Sequence, residues 1–340
     1  LTASVETSAP PQDEIDRRAL RAVAVQFFTN GATLATIVPR LPDLRDQVGI
    51  SIGALGLVLT IGSIASLIGS LFAGRVVARV GSRRVLIYGA VLSIGFLPVV
   101  GVATSPFVLA VGLFGVLFFD IFIDVAMNLQ GSAISARRHT PVMNRLHGVW
   151  SLGSVTGGLV TVAALRADVD VVVQFTAVAV VLIVALRFVA AGLLRAADMP
   201  PADVLEHVPA TSDAGLIEPA ARIDPAAVAD GANAADGAPA EGGARADTAR
   251  PPERRPWLFT VLVLGVGGVA AMAIEVTNSD WAAFRLGDDL DATPGVAGLG
   301  FVIFAAAMTV GRLSGDWVQV RVGPTALVRG AAGLALVGAV

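Results

Sequence analysis

Asp120, Asp124 and Asn128 recur at every fourth position inside a long apolar run. That spacing stacks two carboxylates and an amide on one face of a helix. Such a face can hold and release protons, or hydrogen-bond a polar solute. A carboxylate within a bilayer costs a few kcal/mol, so it faces a cavity or a partner. Counting from Pro106 at 1.5 Å per residue, Asp120 lies roughly 21 Å and Asp124 roughly 27 Å along the run. The competing reading of this pair is an ion pair with Arg145 or Arg187. Glu275 lies roughly 27 Å along a later apolar run that starts at Trp257. It reads either as a proton carrier or as a carboxylate paired with Arg40 or Arg285. Asp280 reads as a helix-end or gate residue, and Trp281 as an interfacial ring or a stacking surface for a sugar. Asn30, with Gln26 one turn before it, offers neutral hydrogen bonds to a solute or to neighbouring helices. Arg40 and Arg45, flanked by Asp43 and Asp46, read as an outer surface cluster. His147 is a structural histidine or a proton relay.

The elements that carry these residues must be lipid-embedded helices. Of the 340 residues, 55% are hydrophobic and only 15% charged, with mean hydropathy +0.75. A soluble domain carries about a quarter charged residues. The formal net charge of −3 argues against a basic nucleic-acid binder. There is no cysteine, which excludes disulfides, thiolate metal sites and cysteine nucleophiles, and all 24 basic side chains are arginine. Without lysine there is neither a phosphate-cradling G-x-x-x-x-G-K loop nor Schiff-base chemistry. Nine segments are long and apolar enough to be read as spans: 21–38, 50–73, 85–104, 106–127, 148–165, 171–194, 257–274, 294–310 and 325–340.

Eighteen of the arginines fall in alternate loops on one side, and Arg40, Arg45, Arg166 and Arg285 on the other. By the positive-inside rule the N-terminus is cytoplasmic. Residues 1–20 read as a cytoplasmic tail and 21–195 as a six-helix bundle. Residues 196–256, rich in Ala, Asp, Pro and Gly, read as a disordered cytoplasmic linker. Residues 257–340 read as the first three spans of a second bundle.

Two loops repeat. Gly74-Arg75-Val76-Val77-Ala78-Arg79-Val80-Gly81-Ser82-Arg83-Arg84 follows the second span, and Gly315 to Pro324, with Arg321-Val322-Gly323, follows the eighth. Each follows a run of small residues at every fourth position (Gly62, Ser66, Ser70, Gly74; Ala307, Gly311, Gly315), a spacing that lets helix backbones approach in lipid. A pair of bundles with equivalent loops is the trace of a two-fold transporter. The first loop resembles the G-x-x-x-D-[RK]-x-G-[RK]-[RK] motif of the major facilitator superfamily. Gly74, Arg79, Gly81, Arg83 and, one place late, Arg84 match it, and Arg321 and Gly323 belong to the second copy. The motif's acid is Ala78 here and Val320 in the copy, which removes the charge that the resemblance would assign to gating. Asp124-Val125-Ala126-Met127-Asn128, then Met143, His147 and Ser151-Leu152-Gly153, resemble the fucose-permease-like branch. So do Glu275 and Asp280-Trp281. An acid expected shortly after Asn128 is Ser135.

The resemblance implies an all-α membrane protein with two pseudo-symmetric bundles, the second incomplete after about nine of twelve spans. It implies a secondary transporter of the inner membrane, coupled to protons, that takes up a small polar solute such as a sugar. A monomer without cofactor or metal is expected. Candidate solute- or proton-binding residues are Asp120, Asp124, Asn128, Glu275 and Asn30. A proton-driven exporter of drugs or hydrophobic metabolites stays open, because Phe114, Phe118 and Phe119 crowd Asp120; so does a non-transporting sensor or scaffold. An enzyme is not expected. Gly49-Ile50-Ser51-Ile52-Gly53 matches a hydrolase elbow and Gly265-Val266-Gly267 part of a dinucleotide fingerprint, but both lack the strand those motifs need.

Overall fold

The computed structural model describes residues 12–201, 204 and 256–338. Tail residues 1–11 and nearly all of the expected linker 196–256 lie outside the described residues. The described chain is all α. Helix α1 (Gln12–Ile37) runs through a 3₁₀ turn (Val38–Arg40) into α2 (Leu41–Val48). Then come α3 (Ile52–Val80), α4 (Ser82–Gly101), α5 (Pro106–Arg138), α6 (Met143–Arg166) and α7 (Val171–Gly192). After the linker follow α8 (Pro256–Phe284), extended by a π turn (Arg285–Asp289), α9 (Pro294–Ala297), α10 (Leu299–Val322) and α11 (Pro324–Gly338). Eight helices among the described residues are long and apolar enough to cross a membrane. The ninth expected span is a shorter apolar helix, Thr325–Gly338.

Helix ends follow local chemistry more than hydropathy. Ser51 Oγ accepts from Ala54 N–H at 3.2 Å and starts α3. Ser105 Oγ accepts from Val108 N–H at 3.3 Å and starts α5, with Pro106 in its first turn. Helix α5 continues about three turns past the expected end of the span at Met127, through a stretch richer in polar residues, and ends at Arg138, with His139 in the left-handed region. Its 33 residues put Asp120 near the midpoint of the helix rather than toward one end.

The chain divides into two units, one of residues 212–274 and the other of the remainder. Within the 212–274 unit the described residues, 256–274, form the first part of α8. The other unit holds a continuous apolar core, including Phe27, Leu86, Leu97, Leu109, Met127 and Phe175. Its tightest seam joins α1 to α6. A Cβ on Gly153 would collide with the Phe28 carbonyl oxygen, and one on Gly31 with the Trp150 carbonyl oxygen; neither position has room for a side chain. In the α3 row of small residues, a Cβ on Gly62 would lie 2.6 Å from Leu117 of α5, and Ser66 Oγ donates to the Leu117 carbonyl at 3.2 Å. Gly74, Gly311 and Gly315 have open space instead, so the expected close packing holds only part-way along α3.

The repeated loops share one backbone geometry. Gly81 (φ 91°, ψ 140°) and Gly323 (φ 79°, ψ 159°) each end one helix and start the next. Each N–H reaches the carbonyl four residues back at 2.9 Å, Val77 in one case and Gln319 in the other. Each carbonyl then accepts from the residue four on, Val85 at 3.2 Å and Leu327 at 3.1 Å. Positive φ explains why glycine stands at both places.

Arg40 corrects one expectation. It is a buried residue, 4% exposed, rather than part of a surface cluster. Its Nε donates to Gln174 Oε1 at 2.7 Å, Nη1 to Asp43 at 2.5 Å and Nη2 to the Val169 carbonyl at 2.6 Å. These partners, from α2, α7 and the loop before α7, satisfy the guanidinium that the sequence alone placed in solvent.

Candidate functional site

Helices α1, α3, α5 and α6 face α8 and α10 across a cavity of about 240 Å³. Most of its wall is apolar, with Leu59, Leu113, Leu117, Phe301, Phe304 and Met308 prominent. The polar part comes from Trp150, Ser151 and Ser154 of α6 and from Glu275, Ser279 and Asp280 of α8. Glu275 and Ser279 stand one turn apart and so share a helix face. Ser279 Oγ donates to Asp280 Oδ1 at 2.8 Å. The arginines weighed as partners of Glu275 are engaged elsewhere: Arg40 as above, and Arg285 Nη1 with Asp289 at 2.6 Å.

The α5 carboxylates stand differently from the expectation. Asp120, Asp124, Asn128 and Asn30 are not among the residues that line the cavity. Leu113 and Leu117 are the α5 residues that do, and at 100° per residue Asp120 is offset by about 40° from the mean direction of that pair. Trp150 closes the gap. Its Nε1 donates to Asn30 Oδ1 at 2.8 Å, and Asn30 Nδ2 donates to Asp120 Oδ1 at 2.5 Å. Asp120 is thus joined to the cavity wall by a two-bond relay across three helices. No ion pair links Asp120 or Asp124 to Arg145 or Arg187 among the described residues.

Asp124 and Asn128 pair within α5: Asn128 Nδ2 donates to the Asp124 carbonyl at 2.9 Å and to Asp124 Oδ1 at 3.0 Å. His147 lies within electrostatic reach of Asp124 and Arg312, and its ring meets Phe27 edge-on at 5.4 Å. Gln26 is 2% exposed, and its Oε1 has no partner among the described residues. Trp281 packs at 5.4 Å from Phe284 and against Gly56 of α3, outside the cavity lining. That favours structural packing over solute stacking. Two residues escaped sequence reading. Trp150 sits unremarked between His147 and Ser151, and Arg312 interrupts an apolar run. Arg312 places its guanidinium 5.4 Å from the Trp150 ring and donates to Ser151 Oγ at 3.2 Å.

In the first motif loop, Arg83 Nη2 donates to the Ala190 carbonyl of α7 at 2.9 Å, while Arg79 and Arg84 are exposed. In the second, the Arg321 guanidinium lies 3.6 Å from the Trp317 ring centroid. At the other end of the bundle, Arg45 of α2 forms a two-pronged bond with Asp288, beyond α8, and packs 5.3 Å from Phe284. This pair ties the first-half helices to the second at that end. An exposed pair contributes about 0.2–1 kcal/mol. Asp288→Asn is therefore expected to speed thiol labelling of a Ser279→Cys reporter by up to about fivefold, since 1.4 kcal/mol is tenfold. An unchanged labelling rate would show that the pair does not restrain this end.

The family model described as Major Facilitator Superfamily matches residues 23–340. The chain belongs to the major facilitator superfamily. The superfamily is one of transporters rather than enzymes, and the all-α, multi-pass membrane architecture fits it. The chain is 27% identical over 85% of its length to an uncharacterized MFS-type transporter of Yersinia pestis, covering 63% of that protein. It is 24% identical over 91% of its length to an uncharacterized transporter of Sinorhizobium fredii, covering 70%. It is also 26% identical over 94% of its length to the membrane protein MosC of Rhizobium meliloti, covering 66%. The chain thus spans about two thirds of the length of these relatives. No solved structure matches it.

Proposed function

We propose that this chain is part of a secondary active transporter that works by alternating access and couples a small polar solute to protons. The observation that carries the reading is the pair of carboxylates, Glu275 and Asp280, facing one cavity between first-half and second-half helices. Intramembrane carboxylates at such a junction are where proton and solute sites occur in two-fold transporters. Glu275 and Asp280 are the proton or hydroxyl ligands in this reading, and Asp120 is a second proton site held by Asn30. Uptake of a sugar follows the fucose-permease-like resemblance. In the same reading residues 21–195 and 257–340 belong to successive bundles of a twelve-span protein joined by a cytoplasmic linker. The protein is a monomer in the inner membrane with its N-terminus in the cytoplasm.

One observation favours a second reading, a proton-driven exporter. The cavity wall is built mainly from leucine, phenylalanine and methionine, which suits an apolar solute better than a sugar. Proteoliposomes carrying the full chain and a pH gradient separate the two. Accumulation of radiolabelled L-fucose toward the alkaline side supports sugar uptake. Expulsion of ethidium against an inward proton gradient supports the exporter. A gradient that moves neither fucose nor ethidium, and whose collapse neither probe accelerates, would overturn proton-coupled transport of both solute classes.

A further inference from the structure

Trp150 occupies a position that neither motif loop nor carboxylate ladder accounts for. Its indole belongs to three environments at once. The ring forms part of the cavity wall. One face lies under the Arg312 guanidinium of α10 at 5.4 Å. Its N–H is donated to Asn30 of α1 at 2.8 Å. Asn30 is 6% exposed and hands the interaction on to Asp120 at 2.5 Å through its Nδ2.

The chemistry of an amide makes this chain directional. A primary amide that accepts at its oxygen is a stronger donor at its nitrogen, since hydrogen bonds in series polarise one another. The Trp150 N–H also fixes which end of the Asn30 amide faces Asp120, because indole can only donate and so must meet the oxygen. Without it, Asn30 can turn its oxygen toward Asp120, a contact that only a protonated carboxyl can complete. The backbone seam leaves little slack: Gly31 and Gly153, next to Asn30 and one turn from Trp150, hold α1 and α6 in van der Waals contact. Movement of the indole is therefore the soft coordinate. An occupant of the cavity, or withdrawal of Arg312 with α10, acts on that ring first.

We infer that Trp150 is the positioning residue that couples the state of the cavity to Asp120, through the orientation of the Asn30 amide. The inference rests on the reading of Asp120 as a proton site and deepens it. Other ionisable groups near the chain are Asp124 on the same helix, His147 on α6, Arg312 on α10, and Glu275 and Asp280 across the cavity.

The test uses the full chain in lipid nanodiscs and needs no known solute. Replacing Trp257, Trp281 and Trp317 with Phe leaves Trp150 as the one tryptophan, since the chain has 4, and excitation at the red edge of indole absorption avoids its single tyrosine. Difference infrared spectra, with and without Asp120→Asn, identify the Asp120 carboxyl band. The expected result is that Trp150 emission changes with pH at the same midpoint as that band. The change should be lost in Asp120→Asn and in Asn30→Leu, and should survive Asp124→Asn and His147→Gln. Trp150→Phe keeps a ring in the wall, removes only the donor, and should move the Asp120 midpoint. It also serves where Asn30→Leu fails to fold. Because the chain lacks cysteine, Ser279→Cys labelled with benzyl methanethiosulfonate gives a defined cavity occupant. That label should shift the Asp120 band with Trp150 present and not with Phe in its place. An Asp120 band that titrates while Trp150 emission stays flat, or an emission change that survives Asn30→Leu, overturns the coupling and leaves the proton site standing. Absence of any titrating Asp120 band overturns both.

Discussion

Gly153→Val is expected to abolish recovery of folded protein from the membrane, whereas Gly95→Ala leaves the yield unchanged. At Gly153 a new Cβ would sit inside the contact shell of the Phe28 carbonyl oxygen. The obstacle is backbone, so no side-chain rotation relieves it. Gly157 repeats the arrangement one turn on, 2.6 Å from the Ala32 carbonyl oxygen, and Gly31 faces the Trp150 carbonyl from the other helix. Helices α1 and α6 would have to separate along several turns. That separation also breaks the Trp150–Asn30 bond and the Thr161 contact to the Thr36 carbonyl at 3.3 Å. Overpacking a well-filled core costs about 1–3 kcal/mol even where side chains can yield, so the cost here is at or above about 3 kcal/mol. Gly95 has open space around its missing Cβ and serves as the control. Monodispersity on size exclusion and the unfolding temperature in mild detergent read the difference. A Gly153→Val protein with unchanged unfolding temperature would refute the tight α1–α6 seam.

Much of this architecture was legible because lipid imposes simple rules. Apolar length gave the spans, and the α1 to α7 segments agree with the helices apart from their ends. The ends differ because polar caps and arginine-bearing turns extend a helix beyond its apolar run, as α5 does from Met127 to Arg138. The Arg-Val-Gly repeat was readable as equivalence because positive φ at Gly81 and Gly323 leaves a sequence mark. The site was readable only in part. Glu275 and Asp280 announced themselves as carboxylates in an apolar segment. Whether Asp120 met the cavity or stood behind its wall depended on a rotation of α5 by about 40°, which spacing alone does not encode. Trp150 gave no signal, because an indole in a membrane helix has the composition of ordinary packing. Arg40 misled for the opposite reason. Its charged neighbours suggested a surface, while its decisive partner, Gln174, lies 134 residues away.

Glu275→Gln is expected to abolish gradient-driven accumulation while exchange of solute across the membrane continues. Glutamine keeps the size and hydrogen-bonding capacity of the side chain and removes its ability to change charge. The cavity, its apolar wall and the relay behind it stay as they are, so a solute can still bind and the halves can still rock. What disappears is the link between a proton's descent and the solute's ascent. A membrane potential of 100 mV is worth about 2.3 kcal/mol per charge moved. Losing one coupled charge therefore lowers the attainable accumulation ratio by up to about 50-fold. Asp280→Asn provides the comparison on the same helix. If the two carboxylates share one proton, each neutral variant should lose accumulation; if only Glu275 carries it, Asp280→Asn should retain most of it. The measurement is accumulation against counterflow in proteoliposomes, with L-fucose and ethidium as probes. Full accumulation by Glu275→Gln would remove that residue from coupling and leave Asp280, across the same cavity, and Asp120, held by Asn30 behind Trp150, as the remaining candidates.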